Sequence, residues 1–236
     1  MSDARPNTDG DPLEIAVPSD PLAGHPATAY FWGHVAGSGD VSDGGLEVVT
    51  NDEASAQVLA AIAGGDVDHG TATREYAHDT TITRTEDEYT VSIGDDESES
   101  GLLGRASVLG LPVDGRGNYR LGAFAEYDRE LLRGLLEGCG TICFKSSSGT
   151  VGISFVHDDR ELLDLARELI DACPVAAPAG DCSETSSGGY WFGVDDDAAP
   201  DFGRWLYGDC EETGLFAPSR RRKLERSLEQ AEAYDD

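Results

Sequence analysis

Two stretches of this chain read as helices that carry glycine in their interiors: YFWGHVAGSG at residues 30–39 and LLRGLLEGCG at residues 131–140. On a wheel of about 100° per residue, Tyr30, Gly33, His34 and Gly37 fall on one side of the first stretch. Leu131, Gly134, Leu135 and Gly138 do the same in the second, while Arg129, Glu130, Arg133 and Glu137 point away. Each interior glycine costs about 1 kcal/mol relative to alanine, so a matched set in two helices needs an offsetting gain. Close approach of two backbones supplies it, because glycine lacks the side chain that would hold them apart. Gly37 and Gly138 also suit helix ends, but Gly33 and Gly134 do not. The pattern predicts that Gly33 and Gly37 face Gly134 and Gly138 across a pseudo-twofold axis.

The segments around these helices repeat in the same order, which predicts two pseudo-equivalent halves, each too thin to bury a full core alone. In the second, a helix starts near Asp128, and GTICFK and VGISFV read as strands around the turn cluster SSSG. DDRELLDLARELIDACP follows as a helix, with Asp158 and Glu161 as a capping box and Pro174 as its stop. GYWFGV is a further strand and PDFGRWLYGD a further helix. In the first, GLEVVT is a strand and NDEASAQVLAAIAGG a helix ending at Gly64. TTITRT and EYTVSI read as a hairpin around EDE, and GLLGRASVLG closes the unit. The expected boundaries are a mobile acidic arm at 1–26, a first half at 27–112, a linker at 113–125 around VDGRGN, and a second half at 126–236. That second half ends in the polar helix SRRRKLERSLEQAEAYDD.

The 236 residues include 46 acidic and 17 basic ones, for a net charge of -29. The acid is spread along chain that also has amphipathic segments, so the expectation is a folded protein with a carboxylate-covered surface. Such a surface suits molar salt, where charge repulsion is screened within about 3 Å, and points to a halophile. Net charge then says little about partners. The five cysteines, Cys139, Cys143, Cys173, Cys182 and Cys210, form no Cys-x2-Cys pair. Reduced thiols in a cytoplasmic protein are expected. No apolar run is long enough to span a bilayer, and no basic-then-apolar leader is seen, so no membrane partner is expected.

FWGHVAGSG and LRGLLEGCG align without gaps with the nine-residue motif of the LAGLIDADG homing endonuclease family, which the chain resembles over roughly residues 27–230. ISFVHDDRELLDLARELI is similar to the strand and helix that follow the motif, and LFAPSRRRKLERSLEQ to the basic helix that closes a unit. The resemblance implies an α+β fold of two αββαββ units in one chain, with antiparallel sheets forming a saddle around a central helix pair. It also implies a monomer with internal pseudo-twofold symmetry. In the family, an acid at the eighth motif place holds divalent metals. Those places here are Ser38 and Cys139. A serine hydroxyl is neutral and a thiolate is soft, so neither suits magnesium. Asp40 and Glu137 lie near these places but not at them. The expectation is a degenerate, non-catalytic site without cofactor. Residual endonuclease activity stands as an alternative.

The resemblance also implies that the sheet faces away from the helices read DNA. Here those faces offer Thr83, Thr90, Ser92, Lys145, Ser154 and Trp191, with Arg74, Arg84 and Lys145 as the sparse basic candidates. The run Arg220, Arg221, Arg222, Lys223 and Arg226 reads either as phosphate contact or as a solvated helix face paired with nearby acids such as Glu225. Cys139 and Cys143 form a weak soft-metal pattern, and small buried thiols account for them as well. His34 reads as a packed core histidine. The expected function is binding, to double-stranded DNA as a regulator or to a protein. A second class is an accessory of a metal or cofactor pathway, because ATAYFWGHVAGSGD resembles haloarchaeal proteins encoded with cobalamin synthesis.

Overall fold

The structure is a computed structural model that describes residues 15–42, 45–76, 79–94, 109–111 and 119–234. Its first elements are α1 (Pro26–Ser38), β1 (Gly39–Ser42), β2 (Gly45–Thr50), α2 (Glu53–Ala63), β3 (Asp66–Tyr76) and β4 (Asp79–Gly94). After a 3-10 turn at Leu121–Tyr127 come α3 (Asp128–Cys139), β5 (Gly140–Lys145), β6 (Thr150–His157), α4 (Arg160–Ala172), β7 (Ser183–Glu184) and β8 (Tyr190–Gly193). Three helices finish the chain: α5 (Ala199–Leu206), α6 (Cys210–Thr213) and α7 (Pro218–Tyr234). Both runs are αββαββ. Their antiparallel four-stranded sheets have matching orders, β1-β2-β4-β3 and β5-β6-β8-β7. The fold is therefore α+β.

The strands alternate as a half-buried sheet requires. Leu46, Val48, Val91 and Ile93 point to the core from the first sheet, and Ile142, Val151, Ile153, Phe155 and Phe192 from the second. Helix α1 is buried along almost its whole length, from Ala27 to Gly37. That explains a sequence apolar all round, as expected of a helix enclosed by others. Pro26 starts it with φ preset and no amide to leave unpaired, and His25 Nδ1 accepts from Ala27 N at 3.2 Å.

Several expectations change. The stretch read as a hairpin around EDE is one strand, β4, which passes straight through Glu86, Asp87 and Glu88 and pairs with β3 along its length. This ribbon runs out past the core, so pairing outweighs the turn preference of its acids. The second-half capping residue is Asp159, whose Oδ1 accepts from Glu161 N at 2.9 Å, and not Asp158, which stands one place too early. Residues 15–25 of the expected arm pack on the core: Ile15 and Leu22 lie against it, and Trp32 Nε1 donates to Pro21 O at 2.7 Å. Of GLLGRASVLG, residues 101–108 lie outside the described residues, while Leu109 is buried. Most of the polar side of α3 does not face water, Arg129 alone being half-buried among its four expected members. Glu130, Arg133 and Glu137 are all buried, as are Phe202 and Leu206 of α5 and Leu215 ahead of α7.

Candidate functional site

Helices α1 and α3 meet backbone to backbone. A Cβ added to Gly33 would overlap Leu131 O and lie 3.2 Å from Leu135 N. One added to Gly134 would overlap Tyr30 O and lie 2.8 Å from His34 N. The contact continues one turn on, where a Cβ on Gly138 would lie 2.8 Å from His34 O and 3.1 Å from Gly37 Cα. This crossing brings both eighth motif residues, Ser38 and Cys139, to the same end of the pair.

Neither presents an anionic oxygen there. Ser38 Oγ donates back to His34 O at 3.2 Å and lies 3.0 Å from His34 Nδ1. Cys139 Sγ donates to Leu135 O at 3.4 Å, and burial pushes its thiol up to about 12. A thiol so held stays protonated and is a poor ligand and nucleophile. His34 is buried, and desolvation, helped by Arg220, lowers it to about 4, so it is neutral near pH 7. Its Nε2 has no hydrogen-bond partner. Cys143 lies on the opposite face of β5 from Ile142. Among the described residues no group of three or more His, Cys, Asp or Glu is placed to hold a metal. Two neutral groups at the helix tips do not fit the hard, charged donor set that Mg²⁺ requires.

The carboxylate of Glu137, two residues before Cys139, is turned inward. Its Oε2 accepts from Tyr30 Oη at 2.6 Å and its Oε1 from Ala217 N at 2.9 Å, just ahead of α7. Burial raises its pKa to about 7, against the pull of these donors and of Arg133. Arg133, one turn back on α3, is fully buried; its Nε donates to Leu206 O and its Nη1 to Leu215 O, at 2.8 and 2.9 Å. Tyr207 lies close enough to Glu137 for each to shift the other's titration. Arg133 was read as a residue pointing away from the pair, and Tyr207 carried no reading. A charged helix face carries no local sign that later helices will cover it.

Beneath the helix tips lies a polar pocket lined by Val49, Thr50, Asn51, Ala72, Glu86, Asp87, Glu88, Glu137, Gly138 and Arg220. Arg220 is half-buried, and its charge acts on His34 of α1 and Cys139 of α3 alike. The other basic candidates are dispersed. Arg221 pairs with Glu211 and with Glu225, the latter at 3.0 Å, and lies over the Phe216 ring. Arg222 and Lys223 are exposed. Lys145 is engaged by Asp196, which also accepts from Thr150 Oγ1. Arg84 is the register partner of Arg74 in the outer ribbon.

The outward sheet faces differ from each other. By register, the first carries Asp40, Glu47, Asp66, Asp68, Glu86 and Glu88 with Val49, Thr90 and Ser92. The second carries Thr141, Cys143, Lys145, Ser154, Val156 and Trp191. Val156 and Trp191 are 46% and 44% exposed.

No curated protein matches the chain. Among solved structures, the homing endonuclease I-WcaI bound to its DNA recognition sequence matches with a TM-score of 0.52 and 8% identity, over 86% of this chain and 87% of that one. I-DmoI in complex with DNA and Mn matches at 0.47 and 13%, over 78% and 97%. Full-length WhiA from Thermatoga maritima matches at 0.47 and 11%, over 89% of this chain, which spans 64% of the length of WhiA. At such identities the likeness shows the fold alone. Residues 7–234 match the profile of a LAGLIDADG family described as "Putative archaeal homing endonuclease". The match covers nearly the whole chain, so the chain belongs to the LAGLIDADG homing endonuclease family.

Proposed function

We propose that the protein binds nucleic acid without hydrolysing it, as a regulator does. The observation that carries the non-hydrolysing part of this reading is the fate of the helix tips. Ser38 and Cys139 bond back into their own helices, and the nearby Glu137 is sequestered by Tyr30 and Ala217 N. Two-metal phosphodiester hydrolysis needs anionic oxygens facing the scissile phosphate, and these groups do not supply them. Support for the partner comes from the family fold and from the positive charges at the start of α7. Arg220 faces the pocket at the centre of the molecule, and Arg222 and Lys223 are exposed beside it. The largely uncharged second sheet is the other surface a strand could lie on.

The first sheet favours a second reading, a protein partner. Its outward face holds six carboxylates by register, and a duplex carrying one negative charge per roughly 1.7 Å would be repelled there. A mobility-shift series on duplex DNA from dilute to molar KCl, run in parallel with a cleavage assay in Mg²⁺ and Mn²⁺, separates the readings. Retarded, uncut DNA whose binding weakens with salt and is lost in Arg220→Ala/Arg222→Ala/Lys223→Ala is the expected result. Metal-dependent cutting overturns the non-hydrolysing reading. Failure to retard any duplex at any salt overturns the nucleic-acid reading and leaves the protein partner.

A further inference from the structure

Of the three tryptophans, Trp32 is buried, Trp205 is half-buried and Trp191 is exposed. Trp191 stands on β8, an inner strand of the second sheet, and belongs to its outward face. Its register partner on β6 is Val156, exposed to the same degree. No ring among the described residues stacks on Trp191. Its ring leans along the strand toward Gly193, where an added Cβ would lie 3.7 Å from Cζ3, so the floor beside the ring stays low. Thr141, Ser154 and Ser183 bring hydroxyls to the same face by register. Lys145 is the one charged side chain that register places there, and Asp196 engages it.

Charge, position and size say what covers this patch. The chain carries a net charge of -29, and the outward face of the first sheet holds six carboxylates by register. A duplex spanning both sheets meets those carboxylates, whereas a single strand can keep to the second sheet. The pair Val156–Trp191 lies just beyond the pair Gly140–Phe155, and Gly140 follows Cys139, so the patch is at the end of the sheet nearest the helix tips. Tyr234, at the far end of α7, packs near Phe144 and over Gly149 at the opposite end of the sheet. The start of α7, with exposed Arg222, therefore lies toward the Trp191 end. The six residues of β5 span about 20 Å, and four strands are about 15 Å across. A face of about 300 Å² is well under the roughly 800 Å² per partner of a stable protein interface, yet it holds a few nucleotides.

We propose that the outward face of the second sheet binds single-stranded nucleic acid, with an unpaired base stacked on Trp191 against Val156 and the backbone running toward Arg222. This rests on the nucleic-acid reading above and names the surface and the form bound. Bases inside a duplex stack on one another and offer no free face to a tryptophan, while an unpaired base does.

The test uses the full chain and a fluorescently labelled oligothymidylate of about 12 nucleotides, alone and annealed to oligoadenylate. Anisotropy should show the single strand bound more tightly than the duplex, and the unlabelled strand should quench the tryptophan emission. Trp191→Ala should weaken single-strand binding at least about fivefold and leave duplex binding unchanged, and Trp191→Phe, which keeps a ring, should recover most of the loss. Equal single-strand binding by Trp191→Ala and wild type overturns the inference, and so does a preference for the duplex; in either case DNA is still bound and the nucleic-acid reading stands. Failure of the wild type to bind either form overturns both. A chain that sediments as a dimer, and as a monomer in Trp191→Ala, places a second copy on the face and overturns the inference as well. If Trp191→Ala does not fold, a wild-type emission unchanged by the strand overturns it instead.

Discussion

At Gly134 a single methyl group decides whether the two motif helices can touch. Its added carbon would overlap Tyr30 O and crowd His34 N, both backbone atoms that no rotamer change can clear. Alanine gains about 1 kcal/mol in helix propensity, but separating packed backbones costs more. Gly134→Ala should therefore lower stability by a net of about 2 kcal/mol, and Gly122→Ala, whose added carbon meets nothing within 4 Å, should not. Thermal unfolding of the pair of variants checks this; equal midpoints would mean that the crossing is not at backbone contact. Cys139 offers a second check at this scale. With its thiol pushed up to about 12 by burial, it should resist iodoacetamide at pH 8 in the folded protein and react on unfolding. Mass spectrometry of the alkylated peptides reads the result directly, and rapid modification in the folded state would show the site to be open.

Among the elements, α7 depends on a residue far away in the sequence. Asp52 caps α2 through Oδ1, which accepts from Ser55 N at 3.1 Å, and its Oδ2 accepts from Ser219 N at 2.6 Å in the first turn of α7. One carboxylate thus satisfies free amides at two helix starts and answers both dipoles. Asp52→Ala should cost about 2 kcal/mol, more than a single cap, while Asp52→Asn keeps one acceptor and should lose about half as much. An Asp52→Asn variant as stable as the wild type in chemical denaturation would show that only one of the two bonds matters. This contact also marks the limit of what the sequence tells. The helix was readable in NDEASAQVLAAIAGG, but the second use of the Asp52 carboxylate was not, since nothing local to residue 52 announces residue 219. β5 and β6 were legible from Ile142, Phe144, Val151, Ile153 and Phe155 because one face is buried. β3 was not, because Asp66, Asp68, His69 and Gly70 lie on a ribbon whose faces both meet water and leave no alternation. At the site, the replaced eighth residues were visible at once in Ser38 and Cys139. The burial of Arg133 and Glu137 was not, because a polar helix face says nothing about which later helices will cover it.

For the molecule as a whole, two buried groups set opposing slopes of stability against pH. His34, lowered to about 4, binds a proton more readily when unfolded, so its contribution is full above about 6.5 and is lost as pH falls toward 4. Glu137, raised to about 7, binds a proton more readily when folded, so its contribution is full below 4.5 and is lost as pH rises toward 7. Between pH 4.5 and pH 6.5 the two act in opposite senses, each with a limiting slope of about 1.4 kcal/mol per pH unit. Their sum is nearly flat, which predicts a broad plateau in place of a sharp optimum. Removing either group should expose the other. Glu137→Gln should become steadily more stable as pH rises across that window, and His34→Gln steadily less stable. Unfolding free energies from urea titrations at half-unit pH steps test both variants against the wild type. Two variants with the same flat profile as the wild type would show that neither group is buried in the state that unfolds. A slope of the wrong sign in either would show that its charged form is held by a partner that outweighs desolvation. Because the two residues stand on different motif helices near the same end, the plateau is a property of the crossing and not of either half, and a chain with its halves forced apart should lose it.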